Sequence, residues 1–270
     1  MFAYDPEIKE EVVWQGKQLK PTTTLLERKA GLTWIRDEIG KRVEYPLVLG
    51  ENESVLSQLR EPQRFPELFS LRDEVRGWRF YHGFRTDDQS PIRTPQVSVR
   101  TTVLSHDGSD LAAALQTILE IGDSRRLMDA VGSAFPGRVL MVISNSPGDS
   151  FSPRAMEMSV ALHAQGCRRP MLARELSDGT LKYLCLVAAL LSPRPPVMIA
   201  LNEPESSLHP DLLPPLARLI VDAAEHSQVW VSTHSQILVD TIQQISGVCP
   251  IRLRLENDET KIDLPEEDEL

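Results

Sequence analysis

Apolar and polar positions along the chain follow two regimes. Between Ile8 and Leu49 the apolar residues come in short runs: Glu10 to Trp14, Thr23 to Arg28, Leu32 to Arg36 and Arg42 to Leu47. Gly16, Gly31 and Gly40 separate them, and short β-rich segments broken by turn residues predict an antiparallel meander. Helical pieces are predicted at Ser54 to Leu59 and Pro66 to Val75, followed by a strand at Trp78 to His82. Asp87, Asp88, Ser90, Pro91 and Pro95 crowd the stretch from Thr86 to Gln96, which predicts a loop. A turn at His106 to Asp110 leads into a helix over Leu111 to Ile121, with Ser109 as its expected N-cap. A second helix is expected over Ser124 to Phe135. Strands follow at Arg138 to Ile143 and Met156 to Leu162, and Gly166 turns the chain into Pro170 to Glu175.

From Thr180 the order becomes regular. A helix over Thr180 to Leu191 ends at the break Pro193 to Pro196. Then come strand Val197 to Leu201, helix Asp211 to Glu225, strand Val229 to Ser232, helix Ser235 to Ser246 and strand Ile251 to Leu255. Buried strands alternating with helices of about a dozen residues predict an α/β fold with a parallel sheet flanked by helices. Ligands of such sheets bind at the carboxyl ends of the strands. The expected division is a β-rich lobe over residues 1–105 and an α/β lobe over 106–270. The acidic run Asp263 to Leu270 is expected to be a solvated tail.

Composition narrows the class. The 270 residues are 41% hydrophobic and 25% charged, as in a globular protein. No apolar run approaches the roughly 20 residues that span a bilayer, and the amino terminus lacks the basic and apolar regions of a secretion signal. The expectation is a cytoplasmic protein with no membrane partner. Cys167, Cys185 and Cys249 are too scattered for a disulfide framework or a zinc cluster. A net charge of −10 argues against non-specific nucleic-acid binding. Arg93 with Arg100, and Arg168 with Arg169 and Arg174, leave a local basic patch open.

Three segments fall where this architecture places chemistry. Ser177-Asp178-Gly179-Thr180 opens a helix, where a hydroxyl and unpaired backbone N–H groups favour an anion such as a phosphate. The same residue types are also ordinary N-caps. The strand Val197 to Leu201 delivers Asn202 and Glu203 to the carboxyl edge, where a carboxylate can take a proton from water attacking a phosphoryl group. Glu203 is the candidate base. Glu205, beyond Pro204, has a structural or solvent-facing reading. His234, in Ser232-Thr233-His234-Ser235 at the end of the next strand, is placed to donate to a phosphate or orient water.

Taken together, LSDGT at Leu176 to Thr180 resembles an ABC signature. LNEPESSLHP from Leu201 resembles a Walker B followed by a D-loop, and STHS from Ser232 resembles a switch-histidine segment. In that order they resemble the bacterial predicted AAA/ABC-type ATPases with SMC/RecF-like heads, members of the P-loop NTPases. The resemblance covers about Glu175 to Asp240 and implies an ATP-hydrolysing head that dimerises around ATP and Mg2+. It implies that Ser177, Gly179 and Thr180 meet the ATP held by the opposite subunit, a second copy or a second ATPase head. Ser206 and Ser207 would lie on the D-loop, which runs to His209. Glu203 would be the catalytic base and His234 the γ-phosphate sensor.

Two departures qualify it. Asn202 stands where the family has Asp, so it reaches magnesium through a water and supplies no charge to hold the ion. No segment matches G-x-x-x-x-G-K-[ST]; Gly16-Lys17 and Gly40-Lys41 lack the rest of the pattern. The expectation is therefore a head entered partway, whose residues 1–105 are the remnant of its amino-terminal half and which is inactive alone. Gln63, Gln89 and Gln96 read as polar loop residues, and none is marked as a Q-loop. Two rivals remain: a non-catalytic module that docks onto a complete head, and a nucleotide-free metal site built from Glu203, Glu205, His209 and His234. The process driven, whether on DNA or through an effector protein, is not written in the chain.

Overall fold

The computed structural model describes residues 7–29, 31–45, 50–145 and 157–263. Its contacts divide the chain into two compact units, Met1–Trp78 and Arg79–Leu270.

The first unit is built on β1 (Glu10–Trp14), β2 (Thr24–Lys29), β3 (Leu32–Arg36) and β4 (Arg42–Glu44), paired in that order as the expected antiparallel meander. Gly31 and Gly40 turn the chain at φ +80° each, a conformation that costs side-chain-bearing residues steric strain. Helices α1 (Val55–Gln58) and α2 (Pro66–Gly77) follow. Leu26, Ile35, Val55, Leu59, Phe65 and Leu68 form the core. Ser54 caps α1 and is itself held by Glu11, whose carboxylate accepts from Ser54 Oγ at 2.6 Å and Val55 N at 2.9 Å. β4 ends at Glu44, and residues 46 and 47 of the expected fourth strand lie outside the described residues.

The second unit opens with β5 (Arg79–Tyr81) and β6 (Gln96–Val97), with a 3-10 turn at Pro91–Arg93 inside the expected loop. It continues through α3 (Leu111–Ile121), α4 (Ser124–Ala134), β7 (Arg138–Asn145), β8 (Glu157–Ala164) and β9 (Met171–Leu172). Then come α5 (Asp178–Leu190), β10 (Met198–Asn202), α6 (Leu213–Ala223), β11 (Gln228–Ser232) and α7 (Gln236–Ser246). A hairpin of β12 (Arg252–Glu256) and β13 (Glu259–Asp263) ends the described chain. The three-stranded sheet β11-β10-β5 is parallel, with Ala200 beside Phe80 and Trp230. A second, antiparallel sheet runs β6-β8-β7, with β9 on β8.

Helix α5 is the hub of this unit. Its residues from Thr180 to Leu190 are all buried, which suits a helix apolar on nearly every side. Tyr183 packs edge-on to Phe135 with centroids 5.5 Å apart, and its hydroxyl donates to the Ala130 carbonyl at 3.3 Å. Each fully buried leucine here contributes about 1.5–3 kcal/mol relative to exposure, so the helix that opens with the signature residues is held from within.

Four expectations change. The boundary falls between Trp78 and Arg79, not after residue 105, because β5 pairs with β10 and because Ile92 and Leu104 are buried in the second unit's core. The N-cap of α3 is Asp110 rather than Ser109. Its carboxylate accepts from Ser105 N at 2.9 Å, and Ser109 bonds Asp107 instead. The strand expected at Ile251 to Leu255 does not join the parallel sheet; as β12 it pairs antiparallel with β13 and is exposed throughout. Asp263 ends β13 instead of starting a tail, and residues 264–270 lie outside the described residues, as does Met156.

Candidate active site

The signature segment is built from the chain direction upward. Ser177, itself extended, caps α5, its Oγ accepting from Thr180 N at 3.2 Å and lying 2.8 Å from Thr180 Oγ1. Capping takes up one of the four amides of the first turn that have no partner within the helix, leaving the earlier ones at Asp178 and Gly179 without an intrahelical acceptor. Gly179 is required by packing: a Cβ there would stand 2.7 Å from the Ser207 carbonyl oxygen. The signature turn and the D-loop are thus in backbone contact.

Both line one open cavity of about 910 Å³. Ser177, Asp178, Gly179 and Thr180 form one wall, and Ser207, Leu208 and His209 another. Arg138 also borders it. Thr180 is buried while Ser177 and Ser207 are exposed. Ser206 does not line this cavity; its hydroxyl and carbonyl both face the Lys182 ammonium.

Glu203 and His234 gather elsewhere, at the carboxyl ends of β10 and β11. His234 Nε2 lies 3.6 Å from Glu203 Oε1, with the two side chains 89% and 48% exposed. Both are therefore open to a ligand. Glu203 adopts φ +44° and Ser207 φ +65°, left-handed conformations uncommon for residues with a Cβ and frequent at functional sites. The Glu203 amide donates to the Ser232 carbonyl at 2.8 Å, which fastens the turn to β11.

Asn202 bears on magnesium. Its Oδ1 accepts from Ser232 Oγ at 2.7 Å, so the neutral amide is already engaged across the two strands. Among the described residues no three His, Cys, Asp or Glu side chains converge as ligands. The described residues do not by themselves fit a magnesium ion, and the same observation removes support from a metal centre built of Glu203, Glu205, His209 and His234. An anionic phosphate, by contrast, fits the α5 N-terminus and its cavity.

Two side chains that the motifs did not single out, Lys182 and Arg93, hold the loops, and Glu205 of the LNEPESSLHP segment holds them too, in keeping with its structural reading. Lys182 is 7% exposed and donates from Nζ to the carbonyls of Glu203 at 3.3 Å and Ser206 at 2.7 Å, and to Ser206 Oγ at 2.5 Å. Burial pushes its pKa below the ordinary lysine value, opposed by the charges of Glu205 and Glu203. Glu205 is structural: its Oε1 accepts from Thr233 Oγ1 at 2.6 Å and His234 N at 2.9 Å. Arg93, with a side chain 8% exposed, donates to the Leu176 carbonyl at 2.7 Å and Asp178 Oδ1 at 2.5 Å, offsetting the negative charge beside the anion-favouring helix start. Only a lysine inside an otherwise apolar helix is a signal readable from sequence; Arg93 is remote from α5 along the chain. Gln96, for its part, accepts the Ala112 amide at 2.8 Å.

The family described as "AAA domain, putative AbiEii toxin, Type IV TA system" matches residues 12–240. The chain belongs to that family, and the AAA/ABC-type ATPase class expected from the motifs holds at that level. No curated protein matches it. Among solved structures, an Smc head domain with a coiled coil and joint from Pyrococcus yayanosii is similar at 15% identity and TM-score 0.42, covering 57% of this chain and 28% of that one. An SMC head domain from Thermotoga maritima is similar at 13% identity and TM-score 0.40, covering 95% of this chain and 73% of that one. Among the described residues no helix is long and apolar enough to cross a membrane.

Proposed function

We propose that this chain is the signature-bearing part of an AAA/ABC-type ATPase head that closes around ATP against a second head. The observation that carries the reading is the single cavity shared by the α5 N-terminus and the D-loop, separate from the exposed Glu203–His234 pair. One surface suits the nucleotide of the opposite head, and the other suits the head's own.

On the first surface, Ser177 Oγ and the uncapped first-turn amides of α5 bind phosphate oxygens, and Ser207 lies alongside. Thr180 braces Ser177. On the second, Glu203 accepts a proton from, or orients, the attacking water, and His234 donates toward the phosphate. Mg2+ would be held chiefly by the nucleotide and by groups outside these 270 residues, with Asn202 reaching only a bound water. The phosphate loop is likewise supplied from outside them, because the G-x-x-x-x-G-K-[ST] pattern does not occur in the chain. The cytoplasm is the compartment in which ATP would be met.

The engagement of Asn202 by Ser232 favours one rival, a non-catalytic module that docks onto a complete head. Calorimetry of Mg·ATP binding, on this chain and on a form extended upstream in its reading frame, separates the two. Binding by the extended form together with ATP-dependent dimerisation supports the ATPase head. Binding by neither form removes it and leaves the docking module.

A further inference from the structure

We propose that Lys182 is a positioning residue that holds the D-loop and the left-handed backbone of Glu203 against α5. It thereby links the phosphate-facing end of that helix to the candidate base. Its functional consequence rests on the ATPase reading above; its structural content does not.

Lys182 lies on α5, just over one turn beyond the cap Ser177. Its ammonium is buried, yet no carboxylate lies within ion-pair distance of it among the described residues; its three acceptors are two backbone carbonyls and a hydroxyl, all between Glu203 and Ser206. A buried charge is costly unless well solvated by fixed dipoles, so the acceptors and the ammonium constrain one another. A methyl-capped chain of the same length would fill the space without desolvating a charge. The hydrogen bonds of the ammonium all go to this loop, and the carboxylates of Glu205 and Glu203 act on its charge from the same segment.

The Glu203 backbone is fastened from two sides. Its amide donates to the Ser232 carbonyl of β11 at 2.8 Å, while its carbonyl accepts from Lys182 at 3.3 Å and from Ser206 N at 3.0 Å. A left-handed glutamate persists only where its surroundings over-determine it. Lys182 is the fastening that comes from the signature helix. The other end of the loop is locked by Glu205 to Thr233 and His234, and Gly179 meets the Ser207 carbonyl directly. A displacement of the first turn of α5 at a phosphate is therefore carried into the loop that begins with Glu203.

Hydrogen exchange of the chain itself, without nucleotide, tests the positioning. In Lys182→Met the amides of Ser206 and Leu208, which donate to Glu203 and Glu205 carbonyls, should exchange about tenfold faster or more. The amides of Leu184 to Leu190 should keep their protection. Lys182→Arg, which keeps charge and donors, should restore most of the loop's protection. Loop exchange unchanged in Lys182→Met overturns the proposal, as does an arginine variant indistinguishable from methionine while α5 stays protected. Should Lys182→Met fail to fold, the arginine variant decides: Ser206 and Leu208 protected as in the parent supports the proposal, and their loss with α5 intact overturns it. In an assembly that hydrolyses ATP, Lys182→Met should lower kcat about tenfold or more with KM little changed; an unchanged kcat overturns the link to Glu203. An assembly that never hydrolyses ATP sinks the ATPase reading and leaves the exchange result to judge Lys182.

Discussion

Glu205 Oε1 accepts from both the hydroxyl of Thr233, at 2.6 Å, and the backbone amide of His234, at 2.9 Å. The loop after β10 and the loop after β11 are joined through one carboxylate oxygen, while the other oxygen of the same group is buried without a partner among the described residues. His234 thus owes its place to a carboxylate on the neighbouring strand's loop.

Removing that acceptor should be felt in stability. Glu205→Ala strands the part-buried Thr233 hydroxyl, at a cost of about 1–3 kcal/mol, and removes from the exposed His234 amide a bond worth about 1 kcal/mol. Release of the unpartnered carboxylate oxygen offsets part of this. A net loss of about 1–3 kcal/mol in urea unfolding is expected; no change would mean that water serves the two donors equally well.

Gly179→Ala sets two effects against each other. Alanine in a helix gains up to about 1 kcal/mol over glycine. The new Cβ would meet the Ser207 carbonyl oxygen at 2.7 Å, too close for a carbon that cannot hydrogen-bond and against backbone on the other side. Overpacking of this kind costs about 1–3 kcal/mol, so the variant should be less stable than the parent and its D-loop amides less protected. A variant more stable than the parent would show that the D-loop yields freely.

Glu175 makes a pH-dependent contribution just ahead of the signature. Arg169 donates to its two oxygens at 2.8 and 2.7 Å, and with the Leu172 amide this holds its pKa down from 4.5 to about 2. Because the folded value lies below the unfolded one, the unfolded chain binds more protons in that window. The contribution is present in full above about pH 4.5 and is lost as the pH falls toward about 2. The pair is exposed, so solvent screening keeps the effect small. Glu175→Gln should flatten the fall of the urea midpoint over this range; an unaltered acid limb would count against the ion pair.

The proposed closure is tested by two substitutions in an assembly that binds ATP. Glu203→Gln should lower turnover about 10²–10⁴-fold, the usual worth of a general base, while ATP-dependent dimerisation persists. Ser177→Arg places bulk and charge where the phosphate is expected and should abolish that dimerisation, at a cap cost of about 0.5–2 kcal/mol. Dimerisation indifferent to Ser177→Arg would argue against a shared nucleotide.

The sequence by itself determined the local elements and the strand and helix ends at which the candidate residues lie. Alternation and glycine spacing marked the β1–β4 meander, and the helix–strand alternation after Thr180 marked the parallel strands β10 and β11, because these patterns depend on neighbours within a few residues. The same locality placed Ser177 to Thr180 at the start of α5, among residue types that cap helices, and put Glu203 and His234 at adjacent strand ends. Tertiary structure decided what local pattern cannot carry. It assigned residues 79–105 to the second unit through the β5–β10 pairing, and set β12 beside β13 instead of in the sheet. It brought Arg93 and Lys182 onto the motif loops and gave Glu205, already on one of them, its partners Thr233 and His234 on the other. Those contacts join residues far apart along the chain, and their partners are mostly backbone carbonyls and amides, whose positions exist only once the strands and helices have packed.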